Sequence, residues 1–258
     1  MQSTAEVKAS FRLLVLASLL TLALWFIPYA SVITYPIGLF VTLVHEAGHA
    51  IVALATFGDV HRIGLDWNGN GVTLRSGGWG LLISSAGYLS TMLYGCGLLL
   101  LLRRARNARG AAIFTAAFVL MITVLFAGNL PAWVVGLTFG VGCLLLALKA
   151  KPKTTHFVMG FLAVQSVLNA LYDLRDLLYL SASEPGVRTD AANMAAATNG
   201  FVPAIVWALG WSVLAVAMLG ATLLIYYRSL RQRAALADPA SMPSLLTERA
   251  ADVAQPRR

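Results

Sequence analysis

The stretch Ile37–Phe57, IGLFVTLVHEAGHAIVALATF, decides how the rest of the chain reads. Its length matches the roughly 20 apolar residues that a helix needs to cross the hydrocarbon core of a bilayer. The ionisable residues that interrupt it are His45, Glu46 and His49. A carboxylate and two imidazoles at such depth cost on the order of several kcal/mol unless they are paired or face a hydrated cavity, so residues of this kind mark a functional site by default.

Comparable apolar runs lie on both sides, at Arg12–Ala30, Trp79–Leu102, Ala111–Ala127, Ala132–Leu148, Phe157–Leu180 and Val202–Tyr227. They agree with the whole composition: of 258 residues, 59% are hydrophobic and 12% charged, and the mean hydropathy is +0.75. A soluble domain carries about twice that share of charge. Helices satisfy their own backbone hydrogen bonds in lipid, so the fold class expected is an all-α polytopic membrane protein of about six to seven transmembrane helices. The run at the N-terminus is longer than the apolar core of a typical signal peptide and reads as a first span that stays. Residues 1–227 form one integral membrane domain on this reading, and 228–258 a basic, disordered tail in which Asp238, Pro239, Pro243 and Pro256 break any periodicity.

One connecting loop has strand character. Val60–Trp67 and Val72–Arg75 flank Asn68-Gly69-Asn70-Gly71, and Asn-Gly pairs between short alternating runs predict a β-hairpin, here over about 60–75, directly after the second span.

The net charge of +8 does not point to nucleic acid, because the basic residues gather in short loops. Arg103, Arg104, Arg106 and Arg109 form one cluster, Lys149, Lys151 and Lys153 a second, and Arg228, Arg231 and Arg233 a third. Pairs of spans separate them, so all three fall on one side, which the positive-inside rule makes cytoplasmic in a cell membrane. Counting backward places the hairpin and the N-terminus on the other side, whereas Lys8 and Arg12 favour the reverse for the N-terminus. Cys96 and Cys143 each lie inside an apolar run without a second ligand at metal spacing and read as packing residues.

The chemistry is concentrated in His45-Glu46-Ala47-Gly48-His49. Histidines at i and i+4 project from one helical face, so both imidazoles can reach one zinc ion. Glu46 lies beside that pair, where its carboxylate can accept a proton from water acidified by the metal and deliver it to a leaving amine. Zinc hydrolases commonly use a third protein ligand and leave a fourth position open. His61 and His156, the other histidines, lie at or beyond span ends. In the sixth span Gln165, Asn169 and Asp173 share a face at i, i+4 and i+8, and Asp173 is the preferred ligand, with Gln165 and Asn169 as supporting or substrate-binding groups. Asp176, one turn further on and next to Arg175, and Asp190, after the span, are the alternatives.

These residues resemble the site-2-protease group of intramembrane zinc metallopeptidases, in its compact bacterial and fungal peptidase-like branch. The resemblance rests on His45-Glu46-Ala47-Gly48-His49-Ala50, the hairpin ending Gly69-Asn70-Gly71-Val72-Thr73-Leu74, Ser85-Ala86-Gly87-Tyr88-Leu89, Tyr172-Asp173-Leu174 and Thr189-Asp190-Ala191. It implies Zn2+ as cofactor, His45 and His49 as ligands, Glu46 as the catalytic base, Asp173 as third ligand, and transmembrane helices of other proteins as substrates. Well-studied members carry their aspartate in an Asn-Pro…Leu-Asp-Gly setting, whereas Asp173 here precedes Leu174 and Arg175.

Two other classes compete. A catalytically silent scaffold that binds membrane helices has no use for Glu46 beside two ligands. A transporter is expected to carry broken inverted repeats, and the chain shows none by inspection.

Overall fold

The computed structural model describes residues 31–184 and 186–236 together with Arg12, Leu16 and Leu19. The run expected at 12–30 therefore lies largely outside the described residues, as do 237–258 of the tail. The elements, in chain order, are α1 (Ser31–Ala55), β1 (Asp59–Leu65), β2 (Gly71–Ser76), α2 (Gly80–Leu101), a 3₁₀ turn (Ala105–Asn107), α3 (Ala108–Phe126), α4 (Leu130–Lys149), α5 (Pro152–Ser183), α6 (Asp190–Ala197) and α7 (Ala204–Leu236). Among the described residues six helices are long and apolar enough to cross a membrane: α1, α2, α3 with the turn before it, α4, α5 and α7. The protein is thus an all-α polytopic membrane protein with one antiparallel hairpin, and the six runs from Ile37 onward each became one spanning helix.

Local chemistry sets the boundaries. Asn129 caps α4 by accepting from the Ala132 N–H at 3.2 Å, with Pro131 in the first turn, where its missing N–H costs nothing. Thr189 caps the short α6 in the same way, accepting from the Ala192 N–H at 3.1 Å. Helix α7 runs past Tyr227 to Leu236, so the part of the tail from Arg228 to Leu236 is helical. Its Arg, Ala, Leu and Gln are good helix formers, and the first breaker, Pro239, comes only afterwards.

Two apolar clusters flank α1 and α2. One joins Leu39, Phe40, Leu43 and Val44 of α1 to Ile63 and Leu65 of β1 and to α3 and α4. The other joins Met92 and Cys96 of α2 to Leu174 and Leu177 of α5, Met194 of α6 and Trp211 of α7. Both cysteines are buried and unbridged, as packing residues should be.

The hairpin does more than join two spans. Its strands pair in the register Ile63↔Thr73 and Leu65↔Gly71, with an irregularity between Val60 and Arg62 that leaves His61 unmatched. A loop from Asp66 to Asn70 closes it, held by Gly69 N–H to Asp66 C=O and Asp66 N–H to Asn70 C=O. The hairpin folds back along α1: Thr42 donates to the Gly69 carbonyl at 2.9 Å, and Tyr35 donates to the Trp67 carbonyl. A strand edge carries a row of main-chain donors and acceptors that need partners. For β1 the segment between α3 and α4 supplies them. Ile63 bridges to Ala127, Gly128 N–H donates to Ile63 C=O at 2.8 Å, and the Asn129 amide both accepts from Leu65 N–H (3.2 Å) and donates to Leu65 C=O (2.8 Å). Among the described residues the sheet has two strands, and no third strand pairs with the outer edge of β2.

The basic loops collect at one end of the bundle. His156, near the start of α5, lies 2.9 Å from the carbonyl of Leu102 at the end of α2, and Thr155 reaches the Leu146 carbonyl at the end of α4. The hairpin base, the start of α2 and α6 belong to the opposite end.

Candidate metal centre

His45 and His49 sit one turn apart on the face of α1 that meets α2. That approach depends on Gly87: a Cβ there would lie 2.6 Å from His49 Nε2 and closer still to His45 Nε2. The His49 ring is oriented by its far nitrogen, which donates to the Ile83 carbonyl at 2.6 Å. That bond places a proton on Nδ1 and turns Nε2 toward His45 and Asp190, where a proton or a metal ion can occupy it. The His45 ring packs edge-on against Tyr88 at a centroid distance of 4.6 Å, and Tyr88 in turn stacks on Trp211 of α7 at 5.7 Å.

The carboxylate that completes the group comes from α6. Asp190 Oδ2 lies 3.2 Å from His45 Nε2 and 3.2 Å from His49 Nε2, and the two Nε2 atoms are 3.0 Å apart. Among the described residues, this is the one cluster of three metal-ligating side chains whose ligand atoms all lie within 4.8 Å of one another. The Thr189 cap sets Asp190 at the first position of its helix, which aims the side chain back at α1. Burial raises the proton affinity of the Asp190 carboxyl. Hydrogen bonds and charge from His45 and His49 outweigh it and hold the group well below the usual carboxylate range.

The triangle fits a zinc ion. Tetrahedral zinc with bonds of about 2.0 Å holds its ligand atoms roughly 3.3 Å apart, close to the three distances observed. The chemistry of the set agrees: two imidazole nitrogens and a carboxylate oxygen converge on one point, an arrangement that only a proton or a cation can satisfy.

A cavity of about 820 Å³ opens onto this group. Its walls are the α1 face carrying Thr42, His45, Glu46 and His49, the stretch Gly69–Arg75 along β2, the start of α2, the last turns of α5, and Val187–Asp190. The size lies within the range of ligand-binding pockets. Glu46 is buried, 5% exposed, on this wall. The lining at the start of α2, the end of α5 and Val187–Asp190 lies at the end of the bundle opposite the basic loops.

The other residues singled out from sequence are distributed unevenly. Asp173 and Asp176 line the cavity but lie outside the ligand triangle, and Asp176 is held by Arg175 at 2.8 Å. The carboxylate next to the histidines is thus that of Asp190, the alternative, and not that of the preferred Asp173. Gln165 and Asn169 are not among the residues that line the cavity. Gln165 is buried, and the Asn169 amide donates to the Gln165 carbonyl at 2.8 Å. The physical reason is a turn of geometry: α5 presents the Gln165–Asn169 face to the helices beside it, and only its last turns reach the cavity.

Compared with known proteins, residues 15–222 match a family model described as Peptidase M50B-like, while no curated protein and no solved structure matches the chain.

Proposed function

The chain belongs to the Peptidase M50B-like family, and from that premise we propose that it is a zinc-dependent endopeptidase of the cell membrane that hydrolyses peptide bonds in or near transmembrane segments of substrate proteins. The observation that carries this reading is the convergence of His45, His49 and Asp190, with Glu46, around one cavity.

His45, His49 and Asp190 would hold the metal through Nε2, Nε2 and a carboxylate oxygen. Zinc bound there supplies a Lewis acid and lowers the pKa of water to about 7. Glu46 serves as the general base: its carboxylate takes a proton from the attacking water and returns it to the nitrogen of the broken peptide bond. The low polarity around a buried carboxylate strengthens its electrostatic action on the reacting atoms. Tyr88 and Ile83 hold the imidazoles in place.

Peptide bonds inside a helix are shielded, so a substrate helix must open near the site. The outer edge of β2 along the cavity wall supports a mode in which the opened segment pairs with that strand, main chain to main chain. This mode places an extended backbone beside Glu46 without demanding a particular side-chain sequence.

The test is the zinc content of the detergent-purified protein, with cleavage of a panel of single-span reporter peptides followed in parallel. Stoichiometric zinc in wild type and in Glu46→Gln, lost in His49→Ala, with cleavage in wild type alone, is the result expected. A wild type that binds no zinc and cleaves nothing overturns the peptidase reading in favour of a helix-binding scaffold.

A further inference from the structure

Strand β2 touches α1 at the catalytic glutamate itself. The Thr73 hydroxyl lies 2.6 Å from Glu46 Oε2 and 3.0 Å from the Glu46 main-chain carbonyl. It has one proton to donate. The charged oxygen at the shorter distance is the stronger acceptor, and 2.6 Å is the separation of a charge-assisted O–H···O bond. The same carboxylate is pressed against the strand two positions earlier, at Gly71. A Cβ added to Gly71 would lie 2.7 Å from Glu46 Oε1 and 2.7 Å from its Cγ, so only a glycine lets the side chain lie flat there. Thr42 donates to the Gly69 carbonyl and anchors the strand to α1 one turn before Glu46, which fixes the distance across which Thr73 reaches.

We infer that Thr73 is the positioning residue of Glu46. A free glutamate side chain carries roughly 1.5–2 kcal/mol of rotamer entropy, and a general base must sit within about 2.6–3.2 Å of the proton it takes. Thr73 and Gly71 together hold one rotamer: Thr73 occupies Oε2, and Oε1, over Gly71 on the cavity wall, is the oxygen left to take the proton. The hairpin is then part of the catalytic machinery before any substrate arrives, and a substrate strand that pairs with β2 is aligned by the element that aligns the base. This inference rests on the peptidase reading, since a base needs a reaction.

Thr73→Val removes the donor at nearly constant volume, and Thr73→Ser keeps it. Both are made in the full chain, purified in detergent, and compared with wild type on the reporter peptide that wild type cleaves best. Thr73→Val is expected to lower kcat by about 10–100-fold, the range found when the hydrogen-bond partner of an active-site group is lost. KM and zinc content should stay at wild-type values, and Thr73→Ser should restore most of kcat. Unchanged kcat in Thr73→Val overturns the inference, as does an equal loss in the serine variant or a change confined to KM. A second readout is independent of turnover. Thr73→Val should lower the Tm of the zinc-free protein more in the wild-type background than in Glu46→Ala, where only the main-chain carbonyl of residue 46 is left to accept; equal shifts in both backgrounds show that the hydroxyl does not act through the Glu46 carboxylate. If wild type carries zinc yet cleaves nothing, the peptidase reading fails, while the Tm comparison still decides the contact.

Discussion

Asp190 lies 145 positions beyond His45 in the chain, and their Oδ2 and Nε2 atoms are 3.2 Å apart. The pair joins the middle of a spanning helix to the first residue of a short helix outside the spans. The assignment of the third ligand turns on this contact, and it separates Asp190 from Asp173 and Asp176, which line the same cavity.

Asp190→Ala should therefore lower zinc affinity by more than the roughly 10–100-fold typical of losing an outer partner, and Asp173→Ala should keep stoichiometric zinc. Equilibrium dialysis with the metal alone reads both. Zinc lost in Asp173→Ala and kept in Asp190→Ala would return the ligand role to α5.

Two glycines of α2 offer a matched comparison. At Gly87 an added methyl group meets both imidazoles, while at Gly97 it meets nothing within 4 Å. Alanine favours a helix over glycine by up to about 1 kcal/mol, so Gly97→Ala should leave Tm equal or raised, with full zinc. Gly87→Ala should lose zinc despite the same gain in propensity. Retained zinc in Gly87→Ala would mean that the histidines can shift without losing the site.

Asn129 closes the outer edge of β1 and caps α4 with one side chain. Asn129→Ala leaves both main-chain groups of Leu65 unpaired and removes a cap, a loss of about 2–4 kcal/mol. A fall in Tm without loss of zinc in the folded protein is the outcome expected; an unmoved Tm would show that water or lipid headgroups reach that edge.

Sidedness can be read with the protein's own geometry. Arg188 is exposed on the cavity lining and Lys151 is exposed in a basic loop at the other end, while the native cysteines are buried. Under the positive-inside rule, Arg188→Cys should react with a membrane-impermeant maleimide on intact cells, and Lys151→Cys only after permeabilisation. Labelling of both from one side would contradict the count of spans between them.

Much of this was legible in the chain. Apolar runs of spanning length are governed by one solvent and one backbone constraint, so the six from Ile37 onward gave their helices directly. The His45-Glu46-x-x-His49 spacing gave a shared face because helical geometry alone fixes it, and Asn68-Gly69 gave the hairpin. The third carboxylate was harder. Gln165, Asn169 and Asp173 have helical spacing, but spacing shows which residues share a face and not what that face meets. Asp190 opens a helix too short for any period to show, and only the cap of Thr189 and the packing of α6 on α7 aim it at α1. The contact of Thr73 with Glu46 left no trace in the sequence, since a threonine in a strand is ordinary and its partner lies 27 positions away.

The placement of Asp190 has a mechanical side. The three ligand atoms belong to α1 and α6, with the hairpin and four spanning helices between them in the chain. An ion gripping all three would act as a cross-link across that interval, and such a link stabilises by narrowing the unfolded ensemble, more so the longer the loop it closes. Part of the affinity for zinc would then be expressed as resistance to unfolding. Chelation would accordingly do more than silence the centre: it would release α6, and with it one jamb of the doorway through which a substrate enters.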